Sequence, residues 1–564
     1  MALSRLGQGF DSPYGYHSLN PYHLVGIFLY FLHKNLPNFN IVWYNIINSK
    51  QKDKDLENLR QKLKIFNYRP LVLIFLGLCS GILVSHFVFH KRIITFVGIA
   101  IAVLCLALYS ILHKKFKYVI IFGLCFILGF GVFNVYMNAR MHQPNDYTTK
   151  YAQGVVTSIT NRAICLELVV ENVVIDGKEL DYNVSVDYYN TYQSGYEKIE
   201  LGTIIGFNIK NEFLPNYYYK GIPNTEVLAN NIGMSVETHA VDIVGNSNSV
   251  RYKLLDRIRN NLSKGLNNLN GEMIYSAMFG DRTELSRPLY GAYKDAGLAH
   301  LLAVSGLHVG LVIAIIYWIL KRLKVNGWLR ILIVAPILLI YAYMCGFSYS
   351  IIRACIMAMV LMMAPLVFSE YDLLSSICFA GSLILLVEPI ALFDLSAQLS
   401  FGCVFGIAMI YPVFKKLLAK IHINNAIADS FCISLATIVS TLIFMAYYFG
   451  GIQPIGLLSN IITIPIFSLL FSITFIVSLL SLILPFISYI LILVNPLFEW
   501  LNWFIIFISK HPVGIPMPNV NYLTMILYCI MLAFASKFNL KKGITKLTMV
   551  GLSICVVALQ IVLM

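Results

Sequence analysis

Uncharged apolar runs of bilayer-crossing length recur from Leu71 to the last residue, separated by short loops where lysine and arginine collect. The first three cover about 70–89, 93–112 and 117–137. Ahead of them, Lys50, Lys52, Lys54, Arg60, Lys62, Lys64 and Arg69 form a basic segment that belongs on the cytoplasmic side. Three crossings then carry the chain outside, so the stretch from about 141 to 247 is expected to be extracytoplasmic.

That stretch has a different pattern. GVVTSI, AICLELVVENVVI, NVSVDYY, TIIGFNIK and GMSVET alternate as strands do, with turn residues at Asp176-Gly177 and Ser194-Gly195. About five short strands suit a small OB-like barrel, with a β-sandwich as the competitor. After it, Leu254, Leu255, Ile258, Leu262 and Leu266 recur at helical spacing among Arg251, Lys253, Arg257, Arg259 and Lys264. Such a basic amphipathic helix beside a membrane lies on lipid or guides an anionic polymer.

From 298 the apolar runs resume as roughly ten further spans. Spans at 298–320, 396–414 and 521–536 each run into basic loops: Lys321, Arg322, Lys324 and Arg330; Lys415, Lys416 and Lys420; Lys537, Lys541, Lys542 and Lys546. The region 452–508, interrupted by LPF and NPL, holds two or three passes. The organisation expected is 1–69 basic or interfacial, 70–140 three transmembrane helices, 141–247 the β domain, 248–296 an amphipathic segment, 297–510 a transmembrane core and 511–564 C-terminal helices.

Composition agrees. Of 564 residues 58% are hydrophobic and 12% charged, with mean hydropathy +0.72; soluble domains run at roughly 45–50% and about 25%. The fold class is a polytopic α-helical membrane protein with one inserted small all-β extracytoplasmic domain. The net charge of +14 has two readings, basic cytoplasmic loops or an anionic partner such as nucleic acid. Of eleven cysteines only Cys165 lies in the polar segment, so no disulfide framework forms there. No cysteine–histidine cluster has zinc spacing, and no metal or cofactor is expected. Residues 1–37 are turn-rich, and Leu24–Leu32 is too short to span. They lack signal-peptide features, and read as an interfacial helix or a mis-assigned start.

The most informative stretch is GLAHLLAVSGLHVG, Gly297 to Gly310. It sets His300, Ser305 and His308, with Gly306 and Gly310, inside an apolar run that reaches Leu320. Polar groups at membrane depth face a bundle interior or a watery cavity. Eight residues apart on one helix, the histidines would stand about 80° from each other and line one cavity. Gly306 and Gly310 make a small-xxx-small pair that also suits tight helix contact. Arg353, Gln398 and Ser400 sit deep in other apolar spans. A central arginine costs about 2.5–3.5 kcal/mol on insertion scales, so it should pair with Asp394 or Asp281, with carbonyls, or with a substrate anion.

The GDR of Gly280–Arg282 and its spacing to GLAHLLAVSGLHVG resemble the ComEC family of competence DNA-uptake channels. GFSYSIIRACIM (Gly346–Met357), EPIALFDLSAQLSFG (Glu388–Gly402) and SNIITIPI (Ser459–Ile466) follow in the family's order. The resemblance covers about 250–510, and the polar segment looks like that family's extracytoplasmic OB-like domain. It implies a bacterial inner-membrane channel that carries one DNA strand into the cytoplasm during natural transformation. The functional positions it points to are Asp281, Arg282, His300, Ser305, Gly306, His308, Gly310, Arg353, Gln398, Ser400 and Asn460. Tyr217, Tyr218, Tyr219 and Lys220 are candidate base-stacking residues, although three consecutive tyrosines cannot share one face of a strand.

The implied partners are single-stranded DNA, membrane lipid, a DNA receptor protein and a separate cytoplasmic ATPase, since no GxxxxGK[ST] is present. Many relatives carry a C-terminal metallo-β-lactamase-like nuclease domain. This chain has no HxHxDH cluster, so that activity is not expected, and the protein is read as a channel and not an enzyme. Two competitors remain: an intramembrane hydrolase using Ser305 with His308 or His300, and a small-solute transporter.

Overall fold

The computed structural model describes residues 70–89, 116–141 and, with short gaps, 150–532. Two apolar helices open it, α1 (Pro70–Phe89) and α2 (Phe116–Arg140). They approach closely because Gly77, Gly81 and Gly129 present no side chain: a β-carbon on Gly77 would stand 2.8 Å from Cys125 Cβ. Leu124, Ile127, Leu128 and Val135 of α2 face outward, as a lipid-facing helix requires. The expected span at 93–112 lies outside the described residues, as do the basic segment and residues 1–37.

The β domain follows, with β1 (Tyr151–Asn161), β2 (Leu166–Ile175), β3 (Lys178–Glu179), β4 (Asn183–Tyr188), β5 (Thr203–Asn208), β6 (Asn211–Phe213), β7 (Tyr218–Tyr219), β8 (Ile222–Pro223), the short helix α3 (Thr225–Ala229), β9 (Ile232–Thr238) and β10 (Val241–Asn246). Asp176 and Gly177 both have positive φ and close the β2–β3 hairpin, as the Asp-Gly pair predicts. The turn expected at Ser194-Gly195 lies outside the described residues. The sheet runs β10-β5-β1-β2-β4-β9-β6, antiparallel except for β4 and β9. Inward residues such as Val156, Leu168, Val170, Val184 and Phe207 fill its core. It is a small mixed sheet of more strands than the pattern predicted, and it is open. Its ends, β10 and the three-residue β6, do not pair with each other among the described residues, so the closed barrel is not formed.

The rest is helical: α4 (Val250–Leu262), α5 (Asn268–Phe279), α6 (Arg287–Asp295), α7 (Gly306–Arg322), α8 (Gly327–Met344), α9 (Tyr349–Met363), α10 (Leu373–Val387), α11 (Leu395–Met409), α12 (Tyr411–Leu418) and α13 (Asn425–Phe449). A two-residue β11 (Gly451–Ile452) precedes α14 (Gly456–Ser481) and α15 (Asn495–Ser509), and β12 (Ile515–Pro516) pairs with β11. Among the described residues six helices are long and apolar enough to cross a membrane: α1, α2, α8, α9, α13 and α14. Two bent pairs raise the number to eight if each is one span. One is α11 with α12, bent by 43°; the other is the 3₁₀ turn Pro485–Leu493 with α15, bent by 51° at the NPL interruption.

The amphipathic segment packs its apolar face on protein. Leu255, Ile258 and Leu262 of α4 are buried in the largest core, with Met273, Leu302, Phe467, Phe471 and Phe498. Asn261 donates to Ser481 O at 3.1 Å, fixing α4 to the end of α14. Its apolar face is covered by protein; Lys253 and Arg257 are exposed, while Arg251 and Arg259 are partly buried.

Candidate functional site

The motif Gly297–Gly310 is not one helix. Gly297 has φ +73 and meets Gly456 at the start of α14, where a β-carbon would fall 2.8 Å from Gly456 Cα. Ser459 Oγ, one turn along α14, donates to Ala296 O at 2.8 Å. Ala299–Leu302 is a single 3₁₀ turn, and Ser276 Oγ donates to its last carbonyl at 3.0 Å. The chain then runs extended through Ala303 to Ser305, the N-cap of α7. Ser-Gly-Leu-His is a helix-start signal inside an apolar run, and it overrides the uninterrupted span expected at 298–320.

The two histidines therefore do not share a helix. His300 is exposed on the 3₁₀ turn. His308 is completely buried and stacks on Phe471, with centroids 4.4 Å apart and planes at 15°, while Phe467 lies at 5.8 Å. Its Nδ1 faces the Ser305 backbone N–H at 3.4 Å, and among the described residues its Nε2 meets no acceptor or donor at full hydrogen-bond geometry. The water-facing position expected for His308 is thus replaced by an aromatic slot between α7 and α14. The glycine pair also divides. Gly310 is exposed with no neighbour within 4 Å of a notional β-carbon, while at Gly306 that position is taken.

What takes it is Arg353. From α9 its Nη2 reaches to 2.8 Å from where a Gly306 β-carbon would stand. The residue is 5% exposed, its Nε meets no acceptor, and Nη1 points at Met357 Sδ at 3.7 Å. The Phe401 ring lies 5.8 Å from its Cζ. Neither expected carboxylate pairs with it. Asp281 accepts from Arg259 Nη2 at 3.0 Å and from Thr283 N at 2.9 Å. Asp394 caps α11 through Ala397 N at 2.8 Å and meets Thr225 Oγ1 at 3.4 Å. Among the described residues Arg353 is a buried cation without a counter-ion, which apolar surroundings strongly disfavour.

The other candidates divide between packing and unmet polarity. Arg282 is exposed, 5.4 Å from the Tyr290 ring. Ser400 shares a 2.9 Å hydrogen bond with Ser350, joining α11 to α9 one turn from Arg353. Gln398 Nε2 donates to Leu392 O at 2.9 Å, yet among the described residues its buried Oε1 has no partner. Within the same residues Asn460 Oδ1 and Thr463 Oγ1 on α14 are buried without partners as well. Tyr217 and Tyr218 pack against Ile82, Phe133, Met137 and Phe393 of the helical layer, and Tyr218 stacks near His86 at 6.3 Å. This places them where the β domain docks, not on an open stacking platform. The Tyr219 backbone pairs with Ile222, and Lys220 lies outside the described residues.

Two groups went unnoticed in the sequence. Arg259 lies 4.3 Å from the Tyr275 ring centroid, with Glu272 at 3.5 Å and Asp281 at 3.0 Å, tying α4 and α5 to the GDR turn. A buried ladder joins α6, α15 and α5. Tyr293 Oη donates to Asn502 Oδ1 at 2.8 Å, Asn502 Nδ2 to Asn270 Oδ1 at 2.7 Å, and Asn270 Nδ2 to Asn495 Oδ1 at 2.9 Å. Asparagines within apolar runs were the available signal.

Comparison with known proteins bears on this same region. Residues 277–541 match the model of a family described as competence protein, which takes in the GDR turn, the 297–310 motif, Arg353 and α14. ComE operon protein 3 of Bacillus subtilis is 26% identical over 222 residues. The helical core of this chain is thus similar to competence proteins of the ComEC family. Recombination protein 2 of Haemophilus influenzae is 24% identical over 240 residues, and competence protein ComA of Neisseria gonorrhoeae 28% over 202. The matches cover 39%, 40% and 34% of this chain, but only 28%, 30% and 27% of the three relatives. No solved structure matches it.

Proposed function

We propose that this chain carries a single DNA strand across the bacterial inner membrane during natural transformation, acting as a channel and not as an enzyme. The observation that carries the reading is that the competence-family region coincides with helices α7 to α14, where polar side chains sit buried in apolar surroundings with unmet hydrogen-bonding capacity. A phosphodiester strand cannot enter hydrocarbon, and conduction requires polar groups that bind it weakly enough to release it. The β domain, docked on the outer ends of α1 and α2, receives the strand in this scheme. A DNA receptor outside and an ATPase inside supply delivery and energy.

The hydrolase reading loses support from the geometry. Ser305 caps α7, and His308 turns Nδ1 toward the Ser305 backbone while its ring is clamped by Phe471. A general base needs access to the nucleophile's hydroxyl.

The test is uptake of labelled double-stranded DNA in a transformable strain whose resident homologue is replaced by this chain. Deletion is expected to abolish cytoplasmic entry while leaving DNA bound outside. Undiminished entry in the deletion strain would overturn the reading.

A further inference from the structure

The guanidinium of Arg353 lies against the first turn of α7, and among the described residues no carboxylate pairs with it. A helix N-terminus carries unsatisfied N–H groups and about half a positive charge. A guanidinium adds a full one. Two positive groups brought together in apolar surroundings repel unless an anion is shared between them. Here the approach is built in. Gly306 supplies no side chain, so Nη2 comes to 2.8 Å from its notional β-carbon, with Ala354 Cβ the next neighbour at 3.7 Å. Arg353 is 5% exposed, and among the described residues its Nε has no acceptor and its one hydrogen-bond contact is the weak Met357 Sδ at 3.7 Å. Gly306 is half-buried and Leu307 exposed, so this turn reaches the protein surface.

We infer that Arg353 and the N-terminal turn of α7 form a phosphate-binding site, the guanidinium and the Gly306 and Leu307 N–H groups closing on the oxygens of one phosphodiester. Planar guanidinium donors and a helix N-terminus are each well matched to phosphate. The ring of Phe401 lies 5.8 Å from Cζ, within cation–π range of the guanidinium. A phosphodiester comes from a DNA strand or from an anionic lipid headgroup. That it is DNA rests on the channel reading above; the anion site itself does not.

The experiment uses the full chain purified into phosphatidylcholine nanodiscs, with labelled oligothymidylate as probe across a salt series. Arg353→Gln is expected to weaken binding about tenfold or more, and to reduce the log–log salt slope by about 0.7, one phosphate contact on a single strand. Arg353→Lys should keep most of the affinity. Gly306→Ala, which retains the charge but displaces the guanidinium, should weaken binding too and covers the case of an unstable Arg353→Gln. An oligomer with uncharged methylphosphonate links should not sense the substitution.

A well-folded Arg353→Gln protein that binds oligothymidylate within twofold of wild type, with unchanged salt slope, overturns the site and leaves the channel reading standing. If wild type ignores oligothymidylate, nanodiscs containing phosphatidylglycerol supply the second arm. Retention of that lipid lost in Arg353→Gln upholds the site and sinks the channel reading. Retention equal in both proteins overturns the site.

Discussion

Arg353 of α9 occupies the space that a side chain on Gly306, the first helical residue of α7, would fill, with Nη2 2.8 Å from that point. The relationship divides two glycines that look equivalent in the sequence. Gly306→Ala must push the guanidinium aside, a strain of about 1–3 kcal/mol if the core resists. Gly310→Ala meets open space on a helix and should be neutral or stabilising by about 0.5–1 kcal/mol. Melting of the purified variants, with DNA entry measured in cells, separates the two: entry should fall for Gly306→Ala and hold for Gly310→Ala.

The asparagine ladder should be a stability element. Asn502→Ala strands Asn270 Oδ1, tied to it at 2.7 Å, and leaves Tyr293 Oη, tied to it at 2.8 Å, with only the Met273 Sδ contact at 2.9 Å. The expected loss is about 1–3 kcal/mol, read as a lower denaturation midpoint in detergent. Tyr293→Phe, which removes one donor and leaves Asn502 its bond to Asn270, should cost less.

Asp281 is expected to act through Arg259. The pair is 3.0 Å apart, with side chains 18% and 10% exposed. Asp281→Asn and Arg259→Gln should each destabilise by about 1–3 kcal/mol. A double-mutant cycle should show that their effects overlap and do not add. Additive losses would mean that the GDR turn is held by something else.

Ser305→Ala should behave as the loss of a helix cap, about 1 kcal/mol, with DNA entry reduced no more than the protein level. A serine-reactive probe should leave Ser305 unlabelled. Labelling that His308→Ala abolishes would restore the hydrolase reading.

The apolar lengths made the membrane class plain, and the Asp176-Gly177 hairpin followed from its turn chemistry. The ordered motifs pointed to the competence family. The break at Ser305 was hidden because apolar length carries no information about helix caps. That one error set His300 and His308 on a common helix. The buried side of α4 was missed because a basic amphipathic pattern does not tell whether lipid or protein covers the apolar stripe. The open sheet depends on β4 pairing in parallel with β9 across a long crossover, which local alternation cannot report. Arg353 was legible as an unusual residue. Its lack of a counter-ion was not, since Asp281 and Asp394 were both plausible partners until their own contacts were seen.

The most direct test is photo-crosslinking in cells during DNA uptake, from a photoreactive amino acid at Leu307, exposed in the first turn of α7 beside Arg353, with a control at Leu332, exposed on α8. The account predicts that incoming labelled strand is captured from position 307 and not from 332. Normal entry of DNA with no capture at 307, in a variant shown to be inserted and reactive, would contradict it.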